Sequence, residues 1–109
     1  MTVNELKEKL ALNTIVMPNG DCEISGCYIG DLLSWVMSAA KTGNIWITIM
    51  SNINIVAVAT LCETSCILLA EDVSVSDDII DTAKAKGINI LSSQKSAYVL
   101  AKEISELSI

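Results

Sequence analysis

Small polar and acidic residues follow several hydrophobic, strand-like segments of the chain. The candidate ligand-binding residues in these loops are Asp31, Met50, Ser51, Asn52, Asn54, Glu71, Ser92 and Ser93. Ligands of open α/β sheets bind outside the carboxyl ends of the strands, where helix N-termini offer free N–H groups to an anion such as phosphate. Helix capping alone explains each loop taken singly. The occurrence of four such loops on one predicted edge is what favours a binding site.

The chain lacks the residues on which most enzyme mechanisms depend. It contains no histidine, which removes the commonest general base, metal ligand and phosphate acceptor. No phosphate-binding G-x-x-x-x-G-K-[ST] motif is present, and the five glycines are too scattered for a dinucleotide fingerprint. The acidic pairs Glu71-Asp72 and Asp77-Asp78 are more typical of a loop and a solvated helix start than of a cation site. We therefore predict a protein that is not an enzyme and has no cofactor.

The four cysteines are the remaining candidates for a metal site. Cys22 and Cys27 are separated by four residues, and Cys62 and Cys66 by three. These spacings match no common zinc or iron–sulfur pattern, so a metal or cluster site would require all four to converge. We interpret the cysteines as small buried hydrophobic residues of a reduced, cytoplasmic protein, with no metal bound.

Hydrophobic periodicity predicts five helices and five strands that alternate along most of the chain. Thr2 and Glu5 form a capping box at the start of the first helix, and Pro18 to Asp21 form a turn. Strands are predicted at residues 12–17, 23–29, 44–50, 65–70 and 88–91. The later helices are predicted at residues 32–41, from Ser51-Asn52 or Asn54 to about 62, from Ser76 to the C-cap Gly87, and at residues 96–107.

Two of these segments are unusually apolar. The helix at residues 32–41, with Asp31 as its N-cap, is predicted to be buried on more than one side. The segment at residues 44–50 is interrupted only by Thr48, which suits a central strand covered on both faces. Trp35 and Trp46 lie on these segments and are predicted to be core or interface anchors.

The order of the elements predicts a single domain at residues 1–109. Strands that alternate with helices imply a mainly parallel sheet with helices on both faces. We therefore predict an α/β fold, a three-layer α/β/α sandwich around a five-stranded sheet, with one antiparallel strand from the opening pair of strands.

Composition restricts the possible partners. Hydrophobic residues make up 51% of the chain and charged residues 18%, a low charge that indicates surface hidden against a partner, most simply in a homodimer. The net charge is −6 and the basic residues are scattered singly, which disfavours nucleic acid and an anionic membrane surface. No apolar run is long enough for a membrane helix, and the first twelve residues are charged and amphipathic rather than a secretion signal.

Four segments of the chain resemble the DRTGG domain family. They are GCYIGDLLSWVM at residues 26–37, GNIWITI at residues 43–49, ILLAE at residues 67–71 and GINILSS at residues 87–93. The family is similar to the N-terminal domain of HPr kinase/phosphorylase and also occurs in some phosphotransacetylases and beside CBS domains. The resemblance implies that this chain is a stand-alone DRTGG domain with a three-layer α/β fold, and that it has a regulatory or ligand-sensing role rather than a catalytic one. The kinase activity of the HPr enzymes lies in a separate P-loop domain, which this sequence lacks.

The chain departs from the family after the third strand. Where the family shows a Gly-Asp-Arg-Thr-like motif, this chain reads Ile49-Met50-Ser51-Asn52-Ile53-Asn54, without the acid or the arginine. The resemblance therefore implies the fold and the location of the site, but not the ligand.

Two functional hypotheses follow. The first is a regulatory, non-catalytic module that binds a small ligand, such as a nucleotide or a phosphorylated metabolite, or a protein partner at the carboxyl edge of the sheet. The second is a purely structural module that docks a signalling or redox partner through apolar surface, without a small-molecule site.

Overall fold

The computed structural model describes all 109 residues and has five helices and five strands in the predicted order. The strands are β1 (Asn13–Val16), β2 (Cys27–Ile29), β3 (Ile45–Thr48), β4 (Cys66–Leu69) and β5 (Ile90–Ser92). The helices are α1 (Val3–Leu10), α2 (Leu33–Ala39), α3 (Asn54–Cys62), α4 (Asp77–Lys86) and α5 (Ala97–Ser105). None of the five helices combines the length and hydropathy that crossing a membrane requires.

The strands form one sheet in the order β1-β5-β4-β3-β2. β2, β3, β4 and β5 are parallel to one another, and β1 pairs with β5 in the antiparallel direction. The predicted α/β fold, mainly parallel with an antiparallel strand from the opening pair, is therefore confirmed. The carboxyl ends of four strands consequently lie at the same edge of the sheet, which we call the carboxyl edge.

Helices cover both faces of the sheet because side chains of successive strand residues point to opposite sides. Ile47 and Leu68 lie in a core shared with α1 and α5. Trp46, Ile67 and Leu69 lie in a second core shared with α2, α3 and α4. Every residue of β3 and β4 is buried, as the near-continuous apolar pattern predicted for these central strands.

Local signals place several helix ends as the sequence predicted. The Glu5 N–H donates to Thr2 Oγ1 at 3.2 Å, and the Thr2 N–H donates to Glu5 Oε1 at 3.1 Å, which completes the capping box. Gly87 ends α4 in the left-handed conformation with φ 73°. Ser76 occupies the N-cap position of the same helix, but its side chain makes no capping hydrogen bond.

Several elements are shorter than the sequence suggested, and β5 begins at Ile90 rather than at residue 88. β2 begins at Cys27 rather than at residue 23, because Gly26 has φ 131° and interrupts the extended segment. α3 begins at Asn54, the later of the two predicted starts, and Ile53 occupies its N-cap position.

The predictions for α2 were wrong in two respects. Asp31 does not cap the helix, because Leu32 is the N-cap residue and no side chain makes a capping hydrogen bond. Only Val36 is buried, and Trp35 is 67% exposed. α2 lies beside α3 and over β2, the last strand of the sheet, so no further element covers its outer side. Trp46, in contrast, is fully buried in the core.

Candidate functional site

The structure places candidate residues after each of the four parallel strands. Asp31 follows β2, Met50 follows β3 and Glu71 follows β4. Ser92 is the last residue of β5, and Ser93 follows it. All of these positions lie at the carboxyl edge, because the four strands are parallel.

The first group of polar contacts at this edge joins the ends of β2 and β3. Asp31 Oδ1 accepts hydrogen bonds from Thr48 Oγ1 at 2.8 Å and from the Ile49 N–H at 3.0 Å. Thr48 Oγ1 in turn accepts from the Met50 N–H at 3.1 Å. The indole of Trp46 donates to the Gly30 carbonyl at 2.9 Å and fixes the residue before Asp31. We call Asp31, Thr48 and Met50 the Asp31 cluster.

Sequence reasoning did not select Thr48 as part of the site. Thr48 is 2% exposed, and its hydroxyl both donates to Asp31 and accepts from the chain beyond β3. The available signal was a single polar residue at the end of an otherwise apolar strand. Such a hydroxyl must find a hydrogen-bond partner when it is buried, and Asp31 supplies it.

The second group joins the ends of β4 and β5. Ser93 Oγ accepts from the Lys95 N–H at 3.1 Å, the Ser93 carbonyl accepts from the Asp72 N–H at 2.9 Å, and the Lys95 carbonyl accepts from the Glu71 N–H at 2.9 Å. Glu71 and Asp72 both have φ 60°, a left-handed conformation that non-glycine residues adopt at a cost. These hydrogen bonds hold the two acidic residues in that turn. We call Glu71, Asp72, Ser93 and Lys95 the Ser93 cluster.

The other candidate residues do not join either cluster. Asn52 Oδ1 accepts from the Asn54 N–H at 2.9 Å, which forms a local turn at the start of α3. Ser51 is exposed and its hydroxyl makes no hydrogen bond within the chain. Ser92 is paired through its backbone with Leu69 and Asn13. Ser51 and Asn52 therefore lie at the carboxyl edge, whereas the backbone of Ser92 belongs to the sheet.

The carboxyl edge is acidic. Asp31, Glu71 and Asp72 are exposed carboxylates, and Asp77 begins α4. The one lysine of the clusters, Lys95, has its ammonium 2.7 Å from Glu103 Oε2. Like charges repel, so this edge suits the uncharged part of a ligand better than a row of phosphates.

Two open grooves lie away from the Asp31 and Ser93 clusters. One, of about 310 Å³, lies between β2 and α5 and includes Cys27, Ile29 and Ile104. The other, of about 630 Å³, lies between α3 and α4 and includes Asn54 and Lys86. Of the candidate ligand-binding residues, only Asn54 lines either of these two grooves.

The cysteines are all free thiols, but they are not all buried. Cys62 and Cys66 are buried as interpreted. Cys22 is only partly buried and Cys27 is exposed to solvent, so the interpretation was wrong for Cys27 and only partly right for Cys22. Desolvation nevertheless raises the pKa of the Cys27 thiol to about 11 and that of the Cys66 thiol to about 12. No group of three or more Cys, Asp or Glu side chains has the geometry to hold a metal ion.

The raised pKa predicts a specific pH dependence for Cys27. In a Cys22→Ser variant, diluted so that self-association does not cover Cys27, the rate of Cys27 alkylation by iodoacetamide is expected to rise about tenfold per pH unit from pH 7 to pH 10, since only the thiolate reacts. Free cysteine, the control, should level off above its pKa of about 8.5. Intact-mass spectrometry gives both rates, and a Cys27 rate that levels off near pH 9 would contradict the prediction.

Comparison with known proteins adds a family and one structural relative. The DRTGG domain model matches residues 29–107, which confirms the resemblance of the sequence segments. No curated protein matches the chain in sequence. A similar solved structure is the crystal structure of the CBS and DRTGG domains of the regulatory region of Clostridium perfringens pyrophosphatase, complexed with its activator, diadenosine tetraphosphate.

That structure superposes with a TM-score of 0.74 at 14% sequence identity, and the match covers 94% of this chain and 45% of the other. The chain thus spans less than half the length of the structure that it matches. At this identity the likeness concerns the fold.

Proposed function

Because the chain belongs to the DRTGG domain family, we propose that residues 1–109 act as one non-catalytic regulatory domain that binds a small ligand at the carboxyl edge. The observation that carries the proposal is the Asp31 cluster, in which side-chain and backbone groups from two strand ends meet beside exposed loops. The pyrophosphatase regulatory region, of which 45% matches the fold of this chain, is complexed with the activator diadenosine tetraphosphate, so adenine nucleotides are the first ligands to test.

The free groups of the Asp31 cluster suit a nucleoside. Asp31 Oδ1 is occupied by Thr48 and Ile49, whereas Oδ2 makes no hydrogen bond within the chain. A carboxylate at this position of an α/β sheet can accept hydrogen bonds from ribose hydroxyls. Ile49 and Ile53 are each about half exposed and lie in the loop after β3, where they offer apolar surface to a base.

The acidic edge makes the proposal more specific. Since Asp31, Glu71 and Asp72 would repel phosphates, the nucleoside is expected to contribute most of the binding free energy. Titration calorimetry with adenosine, AMP and diadenosine tetraphosphate measures this directly. The expected result is an affinity that changes less than about tenfold from adenosine to AMP. Absence of binding by all three compounds would overturn the proposal.

Asp31 is the residue whose replacement tests the site. Asp31→Ala is expected to lower the affinity for adenosine at least tenfold, because a hydrogen bond to a charged group contributes about 1.5–3 kcal/mol. Asp31→Asn keeps an oxygen for Thr48 and Ile49, so it should preserve the loop while it changes the group offered to ribose.

The matched control is Glu8→Ala, which removes the same charge from an exposed position of α1. Calorimetry should give wild-type affinity for this variant, and circular dichroism should give native spectra for all three. Equal affinities of the Asp31 and Glu8 variants would show that Asp31 does not contact the ligand.

The second candidate function is protein docking without a small-molecule site. The uncovered apolar side chains of α2, above all Trp35, are the observation that favours it. This alternative predicts that wild-type protein binds none of the three nucleoside compounds, and that Trp35→Ala abolishes capture of a partner from lysate. The four free thiols support a further part of the proposal, a reduced cytoplasmic location.

A further inference from the structure

We propose that the face formed by β2 and α2 binds the same face of a second copy of the chain, which gives a two-fold dimer with a continuous ten-stranded sheet. We call this surface the β2–α2 face, and it comprises Cys27, Ile29, Leu32, Trp35 and Met37. The inference rests on the sheet edge, the exposed apolar area and the charge distribution. It does not depend on the proposed ligand.

The first observation is that β2 is an edge strand without a charge, proline or bulge. It pairs only with β3, so its outer side leaves backbone N–H and C=O groups without a strand partner. Gly26 and Gly30 bond to β3, and by alternation Cys27 and Ile29 direct their backbone groups outward. Soluble proteins usually protect such an edge with a charge, a proline, a bulge or a very short strand. β2 is short, with three residues, but it has no charge, proline or bulge.

The opposite edge of the sheet provides the contrast. β1 shows a register irregularity between Thr14 and Val16, and Pro18 follows the strand closely. Its first two residues, Asn13 and Thr14, are polar. These features discourage pairing with another strand. Edge-to-edge association is therefore expected at β2 and not at β1.

The second observation is the exposed apolar area. Ile29 and Met37 are each 46% exposed, Leu32 is 59% exposed and Trp35 is 67% exposed. Together these side chains present roughly 500 Å² per copy, given the areas typical of large apolar side chains. A standard interface buries roughly 800 Å² per partner, so these residues supply most of what a stable dimer needs before β2 backbone and the serines of α2 are added.

The third observation is the distribution of charge. Residues 24–62, which include the β2–α2 face, contain only two charged residues, Asp31 and Lys41, of opposite sign, in a chain with 13 acidic and 7 basic residues. Two copies with a net charge of −6 repel each other over most of their surfaces. A neutral face is where such copies approach at the lowest electrostatic cost. A face centred on an edge strand is also self-complementary, because two copies of β2 can pair in the antiparallel direction about a two-fold axis.

The two-fold axis determines what packs together. An axis perpendicular to the sheet keeps equivalent faces on the same side, so α2 packs against α2 of the second copy. On the other face, the groove of about 310 Å³ between β2 and α5 adjoins its counterpart. The carboxyl edges of the two copies point in opposite directions, and both Asp31 clusters stay open to solvent.

The test compares two glutamate substitutions of exposed aromatic residues. Trp35→Glu places like charges across the proposed axis, whereas Tyr98→Glu does the same on α5, where Tyr98 is 80% exposed. Sedimentation equilibrium should give wild type and Tyr98→Glu twice the chain mass of 11.7 kDa. The Kd of the Trp35→Glu dimer should rise at least about thirtyfold, as for an interface hot spot. A monomeric wild type at about 100 μM, or an unweakened Trp35→Glu dimer, would overturn the proposal.

Hydrogen exchange locates the interface independently. The Ile29 amide faces away from β3, so it exchanges rapidly in a monomer and slowly when β2 pairs with a second β2. Protection of this amide is expected in wild type and Tyr98→Glu, and its loss is expected in Trp35→Glu. A dimer in which the Ile29 amide exchanges rapidly would show that the interface lies elsewhere.

Discussion

Replacing Trp46 with alanine is expected to lower the free energy of unfolding by about 3–5 kcal/mol, the range for a large aromatic residue removed from a core. Trp46 is fully buried between the sheet and the helices α2, α3 and α4. The substitution leaves a cavity, and it also removes the indole donor from the Gly30 carbonyl. This loss is large against the roughly 5–15 kcal/mol that holds a domain of this size folded.

Trp46→Phe separates packing from hydrogen bonding. Phenylalanine retains most of the apolar volume but cannot donate to Gly30, so a smaller loss of about 1–3 kcal/mol is expected. Because Gly30 precedes Asp31, the same variant should also lower the affinity for any ligand that the Asp31 cluster binds. Stability and ligand affinity are therefore expected to fall together in this variant.

The measurement is urea unfolding followed by far-UV circular dichroism, because the Trp46 variants retain no tryptophan for fluorescence once Trp35 is also replaced. A Trp35→Glu background prevents dimer dissociation from contributing to the transition. Tyr98→Ala is the matched control, since truncation of an exposed aromatic side chain should change stability by less than about 0.5 kcal/mol. Equal stabilities of Trp46→Ala and Tyr98→Ala would contradict the structure of the core.

The order of elements was predictable because its signals are local. The capping box joins residues three positions apart, and Gly87 ends α4 through its own backbone conformation. The apolar segments of β3 and β4 identify central strands from a few consecutive residues. Alternation of strands and helices then leaves a mainly parallel sheet as the simplest arrangement.

What the sequence could not reveal depends on distant neighbours. Asp31 looked like an N-cap because it precedes a helix, but its oxygen bonds to Thr48, 17 residues away. α2 looked buried because nearly all its residues are apolar, but its place at the end of the sheet leaves Trp35 uncovered. Apolar residues indicate burial, but only the strand order shows whether another element of the same chain buries them.

The candidate site was predictable to a similar degree. Its location at one edge followed from strands that end in polar loops, and the structure places Asp31, Met50, Glu71 and Ser93 there. Which groups are free was not predictable. Thr48 and Lys95 satisfy several of the polar groups internally, and this depends on side-chain geometry.

Substitution of Asn89 is the second change for which we expect a large loss of stability. Asn89 lies at the amino ends of the parallel strands, opposite the candidate site. Its Nδ2 donates to the carbonyls of Asn19 at 2.7 Å and Ser65 at 2.9 Å, and its Oδ1 accepts from the Asn19 N–H at 2.9 Å. Asn89 is 2% exposed, so water cannot readily replace these partners. The side chain thereby ties the turn after β1 to the starts of β4 and β5.

Asn89→Ala is expected to lower the free energy of unfolding by about 2–4 kcal/mol, because it leaves a buried N–H and two carbonyls without their partner. Asn89→Asp has the same shape but turns an acceptor toward the two carbonyls that Nδ2 now contacts. Burial and these carbonyls should raise the pKa of the introduced carboxyl in the folded state above its unfolded value of about 3.9.

The sign of the pH dependence follows from that raised pKa. A group with a higher pKa in the folded state favours folding below its unfolded pKa, and this contribution is lost as the pH rises through the folded pKa. The stability deficit of Asn89→Asp relative to wild type should therefore be largest near pH 7 and should shrink toward pH 4. Urea unfolding of both proteins at each pH measures the deficit.

Asn52→Asp is the matched control because it introduces the same charge at an exposed amide and retains the oxygen that accepts from Asn54. Its stability relative to wild type should change little between pH 7 and pH 4. The two ends of the strands are then expected to have different roles. Asn89→Asp should lower stability while the folded protein keeps its ligand affinity, and Asp31→Asn should lower affinity at nearly unchanged stability. A deficit of Asn89→Asp that grows as the pH falls would contradict the prediction, because it would show that this buried position favours the carboxylate over the protonated carboxyl.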